Sequence, residues 1–274
     1  MPRHSKFNPT VLLGKTVYLQ RIQEAVAAGY CHAALGTVPL AKAQKLVDKF
    51  SEVYGVNRGK DERYRRRAQG LANAMLILRF NEEADIDFAL LVTEGEHAAH
   101  HLEKLRDARR EPLRYREFEL ALLTLPGRSR PTLTWRWDAD TFEGWKTRLH
   151  LHTAHYNRSG LYQAWFSLYR VPGFAGIRRQ VGELVSYWRR DWQQLRRDDP
   201  CPVCYPHDEF RYRPLPGMVR AEDGRYYPPK GFPNTRQLPT LYYVRKQKSG
   251  GQPLRQLLVD MAEHTETGAS KRSD

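Results

Sequence analysis

The sequence predicts an α+β fold, and three observations predict it. Apolar residues recur at helical spacing in the first and third quarters of the chain. Two pairs of short apolar runs, within 75–92 and 118–137, are separated by turn residues as hairpin strands are. From residue 198, Pro, Gly, Tyr and Arg replace periodic patterns. The expected architecture is a helical N-terminal region, a small antiparallel sheet with helices, and a Pro/Arg/Tyr-rich irregular C-terminal region. Residues 1–72 are the helical basic region, 73–197 an α+β core with long helices, and 198–274 an irregular Arg/aromatic-rich region whose tail is disordered from 264.

Taken in order, residues 11–35 read as a helix, with Val11, Leu12, Val17, Leu19, Ile22, Val26 and Tyr30 as its apolar positions. Gly36 to Pro39 breaks that pattern. Pro39 suits a helix start, and Ala43, Leu46, Val47, Phe50 and Val53 follow. After a turn at Gly55 to Gly59, a third helix runs from Asp61 to about Ala72. Its acidic first turn complements the helix dipole. Three helices with a basic third one suit a small DNA-binding unit. Met75 to Phe80 and Ile86 to Val92 then form a hairpin about Asn81-Glu82-Glu83-Ala84-Asp85, and 95–109 reads as a polar helix. Phe118 to Leu123 and Thr132 to Trp137 form a second hairpin of the same sheet. Asp138 or Asp140 caps a helix to about His155, and helices follow at 161–169 and 174–197.

Charge narrows the class of partner. The chain carries a formal net charge of +14 over 274 residues. It is uneven: 13 basic against 5 acidic residues over 1–70, 7 against 11 over 71–125, 13 against 7 over 126–200, and 12 against 8 over 201–274. An acidic block between basic segments reads as one basic face meant for a polyanion. No apolar run is long enough to span a membrane. The basic start lacks the hydrophobic segment of a secretory signal, and three cysteines suit a reducing cytoplasm. Walker, dinucleotide-binding, nucleophile-elbow and kinase motifs are absent.

Arginine beside aromatic residues is the recurring texture. It occurs at Arg63-Tyr64-Arg65, Arg114-Tyr115-Arg116, Arg211-Tyr212-Arg213, Arg225-Tyr226-Tyr227 and Tyr243-Val244-Arg245. Guanidinium groups contact phosphates in pairs of hydrogen bonds, and aromatic rings stack on unpaired bases. The nucleic-acid-binding set is therefore Arg63, Arg65, Arg66, Arg67, Arg178, Arg179, Arg189, Arg190, Arg211, Tyr212, Arg213, Tyr226, Tyr227, Arg245 and Lys246. All six tryptophans lie between 135 and 192, where they serve either this surface or the core.

Three further groups carry possible chemistry. His150-Leu151-His152 resembles the histidine pair of rolling-circle initiators and relaxases, which implies a divalent metal and a tyrosine nucleophile. Helical spacing around it would instead send the two rings about 200° apart. Asp85-Ile86-Asp87, with Glu117 or Glu119 on a neighbouring strand, looks like the acidic signature of nucleotidyltransferases, which implies two metal ions. The Gly-Ser turn of those enzymes is missing upstream. Cys201, Cys204 and His207 have zinc-ligand spacing, with Cys31 or a histidine of the 150–155 cluster needed as a fourth ligand. No cofactor beyond a structural zinc is called for.

The function read from these features is that of a cytoplasmic, non-catalytic nucleic-acid-binding protein, DNA slightly favoured over RNA. It would serve a bacterial mobile element or a nucleoprotein complex, with protein subunits as further partners. The alternatives are a metal-dependent nuclease or strand transferase using His150/His152 or Asp85/Asp87, and an interaction module or inhibitor that meets an acidic protein surface.

Overall fold

A computed structural model of the protein describes residues 7–124, 129–169, 171–196, 219–220, 226–227 and 250–270. The fold is α+β, organised around strand β4 (Asp85–Val92). Alternate side chains on a strand face opposite ways. Ile86, Leu90 and Val92 join cores on one side of β4, while Ala89 and Leu91 join the core on the other. Such a run of apolar residues is what a strand covered on both faces requires.

β4 pairs antiparallel with β3 (Ala74–Phe80), through the expected hairpin at 81–84, and with β2 (His32–Pro39). Beyond β3 lies β1 (Thr10–Leu12), parallel to it, and then β11 (Gly251–Pro253). Beyond β2 lies β5 (Arg106–Asp107). The six-stranded order is β11-β1-β3-β4-β2-β5. One face is covered by α1 (Lys15–Ala27). The other packs against α2 (Leu40–Tyr54) and the start of α8 (Leu254–Ser270). Between α2 and β3 lies α3 (Lys60–Ala68), and between β4 and β5 the four-residue α4 (Ala99–Leu102).

A second sheet of three antiparallel strands, β6 (Leu113–Tyr115), β7 (Phe118–Leu123) and β8 (Thr132–Trp137), continues the core on the α1 side. It carries α5 (Ala139–Ala154), α6 (Arg158–Tyr169) and α7 (Ala175–Leu195). Asp138 is the α5 cap, its carboxylate accepting from the Thr141 N–H at 2.8 Å. The start of α7 lies directly on β8. A Cβ on Gly176 would stand 2.6 Å from the Trp135 carbonyl oxygen. Gly176→Ala is accordingly expected to destabilise the fold by about 1–3 kcal/mol. Chemical denaturation measures this, and a midpoint like the parent's would contradict the close approach. A short antiparallel pair, β9 (Val219–Arg220) with β10 (Tyr226–Tyr227), completes the described strands.

Several expectations need correction. Residues 11–35 are a strand, a helix and the beginning of a second strand rather than one helix. β2 pairs with β4 along its whole length, from His32 opposite Val92 to Pro39 opposite Asp85. That partner lies some fifty residues away and overrides the local helical pattern. The polar helix expected over 95–109 shrinks to α4, because β5 extends to pair with β2. The two hairpins lie in separate sheets rather than one. The boundary expected at 72/73 falls inside one sheet, since β1 and β2 share it with β3, β4 and β11. α8 runs to Ser270, into the segment expected as a tail from 264.

Candidate nucleic-acid interface

α3 is helical from end to end without a single buried residue. A helix polar all round needs other anchors, and this one has them. The Arg63 Nε donates to the Arg58 carbonyl at 2.9 Å, and the Arg66 guanidinium to the Ala72 carbonyl at 3.1 Å. The Asn73 amide donates to the Arg63 carbonyl at 3.0 Å, and Arg58 pairs with Glu62 at 2.9 Å. Arg63 and Arg66 thus hold the helix to the protein, while Lys60, Tyr64, Arg65 and Arg67 are left exposed. Lys60, Tyr64 and Arg67 fall within an arc of about 60° at 3.6 residues per turn. Tyr64 is 74 % exposed. The open face of α3 therefore presents an aromatic ring between two cations.

α7 gives the second basic face. Ile177, Val181, Leu184, Val185, Trp188 and Trp192 are buried on one side. Arg178, Arg179, Arg189 and Arg190 are exposed, within an arc of about 120° on the other. Arg178 donates to the Gly173 carbonyl at 3.0 Å, and Arg179 pairs with Glu183 at 2.9 Å. The tryptophans belong to the core: Trp135, Trp137, Trp165, Trp188 and Trp192 are all buried.

Sequence reasoning missed a third basic feature. A cleft of about 480 Å³ is lined by Lys104, Arg106 and Arg114, by the acidic Glu103, and by Leu35 and Phe88 among the rest. On the helix expected over 95–109, Lys104 and Arg106 would have diverged. The alternation Lys-x-Arg leading into a short strand was the available signal.

Of the remaining expected binding residues, Arg211, Tyr212, Arg213, Arg245 and Lys246 lie outside the described residues, as do Cys201, Cys204 and His207. Tyr226 and Tyr227 form β10, opposite Arg220 and Val219.

The candidate catalytic groups do not converge. Asp87 has no exposed surface. The Thr37 hydroxyl and the Asn81 amide donate to its Oδ1 at 2.8 and 3.0 Å. The Tyr115 hydroxyl and the Arg79 guanidinium donate to Oδ2, the latter at 3.0 Å. Burial opposes ionisation of this carboxyl. The bonds from Tyr115, Asn81 and Thr37 and the Arg116 charge outweigh that and hold it below the usual aspartate range. Tyr115, by burial and by its bond to Asp87, is pushed up. Arg79, itself 2 % exposed, also bonds Glu82. Of the other acids, Asp85 is half-buried at the start of β4 opposite Pro39, Glu117 is held by Lys15 at 2.9 Å, and Glu119 by Arg136 at 2.6 Å. Alternation places Thr37, Arg79 and Asp87 on the α1 side of the sheet. They form a buried ion-pair network there, with no open oxygen pair for two metal ions.

His150 and His152 separate as helical spacing requires. His150 faces α7, its Nδ1 3.0 Å from Asp191 Oδ1, while the His152 Nδ1 lies 3.3 Å from the Asn157 amide. Burial and the nearby Arg148 push His152 down. No known protein family matches the chain, and no curated protein or solved structure matches it.

Proposed function

We propose that this protein binds nucleic acid without cleaving it, through the exposed face of α3 and the arginine face of α7. The observation that carries the reading is α3 itself. A helix with no buried residue contributes little to the core, yet it is anchored by hydrogen bonds from Arg63 and Arg66 and displays Lys60, Arg67 and a Tyr64 that is 74 % exposed. An exposed ring of that size between cations matches base stacking beside phosphate contacts. β2 lies between α1 and α2, so the three-helix N-terminal unit that favours DNA does not form, and Tyr64 favours a nucleic acid with unpaired bases. The metal-dependent alternative has no converging ligand set at Asp85/Asp87 or His150/His152. Among the described residues, no helix is long and apolar enough to cross a membrane.

The test is binding of fluorescent single-stranded and duplex oligonucleotides, read by anisotropy across a salt series. Log affinity is expected to fall linearly with log salt, by about 0.7 per phosphate contact for single strands and about 0.9 for duplex. Single strands are expected to bind the tighter. A flat salt response, or no binding at low salt, removes nucleic acid as the partner and leaves the acidic-protein reading.

A further inference from the structure

Three neighbouring strands of the large sheet end together at one corner, and this brings side chains of different chemistry into one place. Cys31 immediately precedes β2, and its carbonyl accepts from the Ala108 N–H at 2.8 Å. His32 opens β2, opposite Val92 at the end of β4 and Asp107 on β5. Glu94 follows β4 by two residues. The Cys31 Sγ, a ring nitrogen of His32 and a carboxylate oxygen of Glu94 all lie within 4.8 Å of one another. Cys31 is buried, His32 half-buried and Glu94 exposed.

We propose that Cys31, His32 and Glu94 form a binding site for a zinc-like divalent cation. One sulfur, one imidazole nitrogen and one carboxylate oxygen are a donor set suited to zinc, and three protein ligands leave a fourth position to water. Tetrahedral zinc with bonds of 2.0–2.3 Å would set its ligands about 3.5 Å apart. Donors already within 4.8 Å reach that spacing by side-chain adjustment, without moving the sheet.

The surroundings match the chemistry. His100 packs edge-on against His32, with ring centres 4.8 Å apart, and its Nε2 lies 3.2 Å from the Thr93 carbonyl. A carbonyl only accepts, so that nitrogen donates to it. This arrangement, with one ring nitrogen tied to a backbone carbonyl, is the one that metal-binding histidines use. His100 therefore stands beside the three ligands, its ring against that of His32.

Two arginines stand at the corner, Arg109 and Arg110. Arg110 pairs with Asp107 at 3.6 Å, while Arg109 makes the closer contacts. Arg109 pairs with Glu94 at 2.6 Å, and also with Asp107 through two hydrogen bonds of 3.0 and 2.8 Å. The Arg109–Glu94 pair is exposed and weak. Glu94 can therefore turn to a cation while Asp107 keeps Arg109. A Cys31 thiolate with Glu94 would neutralise the dication, while Asp107 stays shared between Arg109 and the exposed Arg110. Sequence spacing offers Cys31 only as a distant partner for Cys201 and Cys204. The fold gives it a histidine and a carboxylate of its own.

The experiment is titration of the reduced full-length protein with cobalt(II), followed by displacement with zinc(II). A thiolate-to-cobalt charge-transfer band is expected at one equivalent and should vanish on adding zinc. It should persist in the double variant Cys201→Ser/Cys204→Ser and be lost in Cys31→Ser. Because Cys31 is buried and its replacement could disturb folding, the exposed Glu94 supplies the independent test. Glu94→Gln should weaken cobalt affinity at least as much as the ~10–100-fold seen when a ligand's supporting partner is lost. Absence of the band in the parent overturns the proposal. So does a band that survives Cys31→Ser, one lost in the Cys201/Cys204 variant, or an unchanged affinity in Glu94→Gln. The result is independent of whether the protein binds nucleic acid.

Discussion

Asp87→Ala is expected to cost about 3–5 kcal/mol of folding stability, because it leaves the Arg79 guanidinium buried without its counter-ion. Arg79 is 2 % exposed, and its remaining acidic partner, Glu82, is largely in water. Tyr115, Thr37 and Asn81 lose an acceptor at the same time. Equilibrium unfolding in urea measures the loss, and a cost below about 1 kcal/mol, the net worth of one ordinary hydrogen bond, would show that the network carries no weight. The double variant Arg79→Met/Asp87→Leu should recover much of the stability, since removing both charges removes the desolvation penalty of both. The pH dependence has a definite sign. The folded Asp87 carboxyl lies below its ordinary value. Its contribution is therefore complete above the unfolded pKa of about 3.9 and is lost as pH falls through the lower folded value. Acid unfolding should be shallower in the double variant than in the parent.

Reversing charge on the open face of α3, by Lys60→Glu with Arg65→Glu and Arg67→Glu, should weaken duplex binding by about 10²-fold near 0.1 M salt. That figure follows from a dependence of about 0.9 log units per phosphate contact per decade of salt. The salt slope should flatten by about 2–3 for the same reason. The melting temperature should barely change, since none of these side chains is buried and surface substitutions usually stay within about ±0.5 kcal/mol. Arg63 and Arg66 are poor choices for this test because their bonds to Arg58 and Ala72 hold the helix in place. Tyr64→Ala should lose roughly 1–3 kcal/mol of single-strand affinity and little duplex affinity. A folded triple variant with the parent's affinity and slope would move the interface away from α3.

Local signals account for what was legible. α2, α3, α5 and α7 follow from apolar or charged spacing within each helix, and the hairpins β3–β4 and β7–β8 from runs flanking short turns. What failed was decided at long range. His32 to Val38 is an apolar run as compatible with a helix as with a strand, and β4 settles it by pairing with it along its full length. β1 and β11 are each three residues long, too short to leave a periodic pattern; β1 forms by pairing with β3 on one side and β11 on the other, and β11 by pairing with β1. The Arg–Tyr texture was visible throughout, but it did not distinguish Tyr64, 74 % exposed, from Tyr115, buried against Asp87.

The amino-acid sequence alone determined the fold class, the helices with one consistent face, and the uneven basic charge. Those properties depend on composition and on neighbours within a few positions along the chain. Tertiary structure alone decided what each charged or aromatic side chain meets. It sealed Asp87 between Arg79, Tyr115, Thr37 and Asn81, put the tryptophans in the core, and left α3 open. It also brought Cys31, His32 and Glu94 to one corner of the sheet. The reason is physical: burial and ligand convergence are set by residues far apart in the chain and close in space, and no local periodicity encodes them.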